Sequence, residues 1–323
     1  MSTSEILAAN LLSPVVLAFA LGVVTRLVRS EFQLPKDLYS ALSIYLLFAL
    51  GLKGGYELTH ASFDTIAAPV LVTLLLGCLT PLTSFAVLRY VGGFGDADAA
   101  AIAAHYGSVS AVTFIAAQSF VTSVGAAPEG FMPTLLTLLE SPGIHIALAI
   151  GVLRVGAGQR PTGELLHEVL TGRTMILLVG GLIVGVSMGE RGWTAVAPFF
   201  DSGFKGALTL FILEMGIVAA DRLHELRRVG LFLLGFGIGM PLVHGVLGAV
   251  LGTLAGLSSG GSTVLAAMAA SASYIAAPPA TRMTLPTANP TYSLTASLAI
   301  TFPFNVVLGI PIYYEIARRL QGG

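Results

Sequence analysis

His105-Tyr-Gly-Ser-Val-Ser-Ala-Val-Thr-Phe-Ile-Ala-Ala117 and Ala269-Ala-Ser-Ala-Ser-Tyr-Ile-Ala-Ala-Pro-Pro279 are two copies of one broken apolar segment. Each sets small hydroxylated residues, then an aromatic, then Ile-Ala-Ala, inside a stretch otherwise apolar enough to cross a bilayer. Small polar residues at matching places in two halves point to a transporter's binding site.

The rest of the chain supplies the solvent that such a segment needs. Of its 323 residues 55% are hydrophobic and only 10% charged, with a mean hydropathy of +0.86. A soluble domain carries roughly 25% charged residues, so the polar shell of a dissolved globule is missing. A net charge of −1 gives no reason to expect a nucleic acid partner. The single cysteine, Cys78, excludes an intrachain disulfide framework and reads as a small buried hydrophobe. The first ten residues hold Glu5 and no Lys or Arg, and the next apolar run precedes Arg26 and Arg29 without a cleavage motif. That run reads as a retained membrane helix and not as a leader.

Crossing hydrocarbon takes about 20 mostly apolar residues as a helix, because lipid offers no partner to unpaired backbone groups. Ten such spans are expected, at 8–28, 38–56, 65–91, 98–124, 131–156, 172–189, 203–221, 229–256, 262–283 and 291–317. The fold class is therefore all-α, a polytopic membrane protein. Spans four and nine carry the paired interruption.

The halves match in order elsewhere. Leu50-Gly-Leu-Lys-Gly-Gly-Tyr-Glu-Leu58 lies over Met215-Gly-Ile-Val-Ala-Ala-Asp-Arg-Leu223. Gly77-Cys-Leu-Thr-Pro-Leu82 lies over Gly237-Ile-Gly-Met-Pro-Leu242, and the aromatic-Ile-Ala-Ala blocks start at Phe114 and Tyr274, both pairs offset by 160 residues. Leu139-Glu-Ser-Pro142 answers Ala288-Asn-Pro290 at the start of spans five and ten. Five spans per repeat is an odd number, so the second copy enters the membrane inverted. The expected division is a first repeat over 1–157, a cytoplasmic linker over 158–171 and an inverted second repeat over 172–323.

Lys and Arg near helix ends set the orientation. One set of loops holds Arg26, Arg29, Lys36, Arg89, Arg154, Arg160, Arg173, Arg222, Arg227, Arg228 and Arg282; the other holds Lys53, Arg191, Lys205, Arg318 and Arg319. Eleven against five places the linker in the cytoplasm and both termini outside, and the expected location is the cell inner membrane with periplasmic termini.

A helix interrupted in mid-membrane exposes free N–H groups on one half-helix and free carbonyls on the other. The first end suits an anion and the second a cation such as sodium. The hydroxyls of Ser108, Ser110, Thr113, Ser271, Ser273 and Tyr274 add donors and acceptors. The alternative is that Ser, Thr and Gly only let helices pack closely, and this reading is preferred for Gly181, Gly185 and the Gly235-Phe-Gly-Ile-Gly239 run. Glu140 opens span five, where it reads either as a first-turn charge or as a cation ligand. Glu214 lies in mid-span seven. Lys53, near the outer end of span two, snorkels or holds an anion. His105, His145 and His244 read as satisfied interior histidines, so no transition-metal site is expected. No Walker motif appears, which argues against ATP-driven transport.

The runs Gly107-Ser-Val-Ser-Ala-Val-Thr113, Ser271-Ala-Ser-Tyr-Ile-Ala-Ala-Pro-Pro279 and Leu285-Pro-Thr-Ala-Asn-Pro290, with Pro241-Leu-Val-His-Gly245, together resemble the SbtA family of sodium-dependent bicarbonate transporters. The resemblance covers the whole chain. It implies two inverted five-helix repeats divided into a core domain, where broken helices four and nine cross, and a gate or scaffold domain. It implies a homotrimer in membrane lipid, with sodium as coupling ion, no other cofactor, and a PII-like regulator on the cytoplasmic face. Bicarbonate would sit among Gly107, Ser108, Val109, Ser110, Ala111, Ser271, Ala272, Ser273 and Tyr274. Sodium would take Ser110, Thr113 and Ser273, with Glu140 nearby. The chain departs from the family in carrying Ala111-Val112 between Ser110 and Thr113, and in having Tyr274 near an aspartate's place. A carrier of a small organic carboxylate, similar to bile-acid symporters or auxin-efflux carriers, is the alternative. An enzyme is not expected.

Overall fold

The computed structural model describes residues 3–155, 167 and 171–322, and among them there is no strand. The central linker predicted at 158–171 lies outside the described residues apart from His167 and Thr171. Helices α1 (Thr3–Leu11), α2 (Pro14–Leu27), α3 (Lys36–Leu58) and α4 (Phe63–Ala86) open the chain. They are followed by α5 (Asp96–Gly107), α6 (Ala111–Ser123), α7 (Met132–Glu140) and α8 (Pro142–Val155). The second half holds α9 (Arg173–Ala197), α10 (Phe204–Arg222), α11 (Leu226–Leu254), α12 (Ser259–Ala269), α13 (Ala277–Thr284) and α14 (Pro290–Leu294). From α14 the chain runs through π-helical turns at Thr295–Thr301 and Asn305–Gly309 into α15 (Ile310–Leu320).

Sequence sets these boundaries locally. Ser13 caps α2 by accepting the Val16 N–H, with Pro14 in the first turn where its missing N–H costs nothing. Ser110 caps α6 through the Thr113 N–H, Ser258 caps α12 through Gly261, and Asn289 caps α14 through Thr291. Gly189 inside α9 and Gly230 inside α11 stand at φ of 61° and 78°. Only glycine adopts these left-handed values without steric cost, and both helices bend there.

Among the described residues, seven helical stretches are long and apolar enough to cross a membrane, or eight when the bent pair Ser4–Leu11 and Pro14–Leu27 counts as one span. The number is below the ten expected. One of the seven, Arg173–Glu225, runs for 53 residues, and the interrupted 259–284 segment is not among them.

Packing sorts the helices into two groups. In one, α2 lies along α10 and α3 along α9. In the other, α5 packs on α4 and α8, and α12 packs on α11 and α15. Glycines carry the first group's contacts. A Cβ on Gly51 would stand 2.8 Å from Gly181 Cα, and one on Gly216 would stand 3.1 Å from Gly22 Cα. Gly185 meets Gly55 in the same way. Packing is therefore the role of Gly181 and Gly185. Of the three glycines in the Gly235–Gly239 run, Gly237 is packed, against Ile300.

Large apolar side chains cover the outside: Phe63, Leu153 and Leu231 are more than 80% exposed. Cys78 belongs to this outer surface and not to the interior. On α4 it shares the outward face with Leu71, Leu74, Leu75 and Leu82. An apolar neighbourhood implies burial only where water is the solvent, and here hydrocarbon takes water's place. The chain's two ends are stitched to the bundle at Asn10, whose buried side-chain amide donates to the Val306 and Val307 carbonyls (3.0 and 2.9 Å), and at Gln321, which donates to the Leu257 carbonyl.

Candidate functional site

The two breaks meet. The first, 108–110, lies between α5 and α6; the second, 270–276, lies between α12 and α13. The Ser273 N–H donates to the His105 carbonyl at 2.7 Å. In return the Ser110 N–H donates to Ser271 Oγ at 2.8 Å, and Ser271 Oγ donates to the Met268 carbonyl at 2.8 Å. Each interrupted helix thus supplies partners for backbone groups that the other leaves orphaned. Buried backbone polar groups need such partners.

Ser110 is the hinge of the arrangement. Its Oγ accepts the Thr113 N–H at 3.2 Å and donates to the Tyr274 hydroxyl at 3.4 Å. Ser273 Oγ accepts the Ala276 N–H at 3.2 Å. The first-turn N–H groups of Ala111 and Val112 have no helix carbonyl to bond, which leaves the positive end of α6 facing the crossing.

A small cavity opens at this point, lined by Val109, Ser110, Ala111, Glu140, Thr174, Ser273, Tyr274 and Ile275. Six of these were legible as candidates: Val109, Ser110, Ala111, Ser273, Tyr274 and Glu140. The remaining candidates lie behind the cavity wall. Gly107 packs between Pro81 and Gly143. Ser108 donates to the Glu140 carbonyl at 2.9 Å. Ser271, bonded to the Ser110 N–H, and Ala272 are buried, and Thr113 is buried inside α6. Thr174, from the first turn of α9, was not foreseen. It brings the cavity to the seam between the two helix groups.

Glu140 does not open a span. It is the last residue of α7, about a third of the way along 132–155, and α8 begins at Pro142. A first-turn charge is ruled out, because the C-terminal end of a helix disfavours a carboxylate. The segment 139–142 is therefore not equivalent in position to 288–290, which does start a span. The Glu140 side chain is 2% exposed and its Oε2 has no hydrogen-bond partner among the described residues. Such a group calls for a cation or proton in the cavity.

Asn305 is a second residue that sequence reading missed. Fully buried in the last span, it donates to the Ala270 carbonyl at 2.8 Å and accepts the Tyr313 hydroxyl at 2.9 Å. It ties off the carbonyl end of α12 beside the second break.

The histidines are half satisfied, not fully. His105 Nδ1 pairs with the Ala101 carbonyl, His145 Nδ1 with the Ser141 carbonyl and His244 Nε2 with Thr83 Oγ1. The opposite ring nitrogen of each is buried without a partner among the described residues. Lys53 does not stand free: its half-exposed side chain reaches Asp201, with Nζ 2.6 Å from Oδ1. Glu214 accepts the Leu34 N–H at 3.2 Å.

The crossing predicts the effect of a small change. Ser271→Ala removes the acceptor of the buried Ser110 N–H, which costs about 1–3 kcal/mol for an orphaned donor. The variant should unfold at lower temperature in detergent. An unchanged unfolding temperature would mean that Ser271 does not hold the two breaks together.

No curated protein matches the chain. The model of the Na+-dependent bicarbonate transporter superfamily matches residues 14–318, nearly the whole chain, including both breaks and every residue of the cavity. The chain belongs to the Na+-dependent bicarbonate transporter superfamily.

Proposed function

We propose that this protein imports bicarbonate together with sodium by alternating access at the crossing of the two broken helices. The observation that carries the reading is the cavity in which the N-terminal end of α6, the hydroxyls of Ser110 and Ser273 and the carboxylate of Glu140 meet Thr174 of the other helix group. The anion would take the free N–H groups at the start of α6 and the Ser110 and Ser273 hydroxyls. Sodium would lie toward Glu140, with Ser110, Ser273 and Thr113 as oxygen donors. The chemistry fits the helix-end rule, in which N–H ends face anions and oxygens face cations.

Ten crossings in two inverted repeats remain the best account of the architecture. At 1.5 Å per residue, 53 helical residues extend about 80 Å, more than twice the ~30 Å hydrocarbon layer, so Arg173–Glu225 has to be two spans. The 259–284 segment, broken at its crossing point, is a further span. Gly51 and Gly216, matched by internal alignment, each pack on a glycine of the opposite half's first span, which supports the repeat. The group containing α2, α3, α9 and α10 would be the gate, and the group containing both breaks would be the moving core. Both ends of the chain contact the end of the bundle where Lys53, Lys205 and Glu129 lie. That placement supports two termini on one side of the membrane, the outer side by the charge count.

Purified protein in liposomes should accumulate labelled bicarbonate faster under an inward sodium gradient than under an equal potassium gradient. Uptake indifferent to sodium would remove the coupling. Strong competition by bile acids or aromatic carboxylates would favour the organic-anion alternative, which the small cavity disfavours.

A further inference from the structure

A second cavity lies at the outer end of the same seam. It has a volume of about 150 Å³ and sits between α2 and α10 on the gate side and α6 and the last span on the core side. Ser13, Ser119, Ser123, Lys205 and Thr209 supply its charged and hydroxyl groups. Lys205 is the one ionisable side chain in that lining. Among the described residues it belongs to no ion pair.

The hydroxyls around it differ in what they have left to give. Ser123 and Thr209 donate to the Phe120 and Lys205 carbonyls, at 2.7 and 2.8 Å. Ser13 Oγ accepts the Val16 N–H, which leaves its own proton free. Ser119 makes no hydrogen bond among the described residues, unlike Ser123 one turn on. The cavity therefore offers an uncommitted cation and two uncommitted O–H donors, with no carboxylate in its wall.

A wider cavity of about 380 Å³ adjoins it and shares Ser119, Lys205 and Leu208. There the carboxylates are found. Asp201 is held by Lys53, Glu129 accepts the Ser258 N–H at 2.6 Å, and Glu57 completes the set. The pattern of charge places an anion on the Ser119 and Ser13 side of Lys205 and away from Glu57.

We propose that this cavity is an outer anion site, in which a small monovalent oxyanion is held by Lys205 Nζ and the Ser119 and Ser13 hydroxyls. The inference rests on reading the protein as a bicarbonate carrier and adds a station to its path. Ala116, Ser119 and Ser123 line it from α6, the helix whose first residue, Ala111, lines the deep cavity. An anion released from Lys205 would travel inward along α6.

In liposomes, Lys205→Gln should raise the bicarbonate KM about fivefold while kcat stays within about twofold, the signature of lost binding and not of lost turnover. Lys205→Arg, which keeps the charge, should recover most of the loss, and the sodium KM should not move. A bicarbonate KM unchanged in Lys205→Gln, or a lower kcat at constant KM, overturns the site.

Binding can be read without transport. In detergent-solubilised protein carrying Cys78→Ala and Thr209→Cys, bicarbonate should slow alkylation at position 209, and adding Lys205→Gln should abolish the protection. No protection overturns the outer site even where uptake is normal. Protection in a protein that fails to transport bicarbonate would keep the site and overturn the functional reading instead.

Discussion

In the Glu140→Gln protein, sodium-driven bicarbonate uptake should fall by at least about tenfold while the unfolding temperature in sodium-free buffer rises. The two effects have one origin. An ionised carboxylate within a membrane span costs on the order of 2.5–3.5 kcal/mol on insertion scales, and Glu140 Oε2 has no hydrogen-bond partner among the described residues to offset it. The amide has the same shape without the charge, so the empty fold gains stability. What is lost is the carboxylate that a cation in the Ser110–Ser273 cavity would use. Sodium supplies the discriminating measurement. An ion that binds only the folded state stabilises it by RT ln(1 + [L]/Kd), about 2.7 kcal/mol at a hundredfold excess over Kd. Added sodium should therefore raise the unfolding temperature of the wild type and leave that of Glu140→Gln unchanged. A variant that keeps sodium-dependent uptake would place the coupling ion elsewhere.

Gly143→Ala should be the most damaging glycine-to-alanine change among the described residues. Gly143 and Gly107 bring α8 and α5 into backbone contact. A Cβ on Gly143 would overlap the Gly107 carbonyl and stand 2.6 Å from Gly107 Cα. A Cβ on Gly107 would stand 2.7 Å from Pro81 Cβ and 3.0 Å from Gly143 Cα. Neither neighbour is a flexible side-chain tip that can swing away. Overpacking of this kind costs about 1–3 kcal/mol and occasionally more, and here relief requires α8 to move off α5 and take Glu140 with it. The expected result is a large drop in unfolding temperature together with loss of uptake. Gly180→Ala is the control: nothing stands within 4 Å of its added Cβ, and helix propensity favours alanine by about 0.8–1.0 kcal/mol. Equal behaviour of the two variants would show that the Gly107–Gly143 contact does not matter.

The site was legible where chemistry stood out against its background. Ser110, Ser273 and Tyr274 are conspicuous because hydroxyls cluster in a chain of apolar residues, and because the cluster recurs. Thr174 has no such contrast. It lies at a span's start, where polar residues are ordinary, and only the packing of α9 reveals that it faces the cavity. Asn305 was hidden by its solitude, as one amide in a long apolar span. Glu140 was seen but misplaced, since Ser141-Pro142 has the form of a helix start. A new helix does begin there, but within a span and not at its edge. Cys78 failed for a different reason, because apolar surroundings were read as interior when they are the surface that hydrocarbon wets. The seven or eight long apolar stretches differ from the ten expected spans through breaks and joins: the 259–284 segment is interrupted, and Arg173–Glu225 runs on for 53 residues.

The amide of Asn10 has a consequence for how the protein is made. Its two acceptors, the Val306 and Val307 carbonyls, follow it by 296 and 297 residues. While the ribosome delivers the chain, the first span waits in the bilayer with a polar side chain whose partners do not yet exist. Burial of that amide is complete only when the last span arrives, so it reports the completion of synthesis. A chain that stops before Val306 leaves the amide without these two acceptors. Asn10→Leu would free the first span from this dependence on the last.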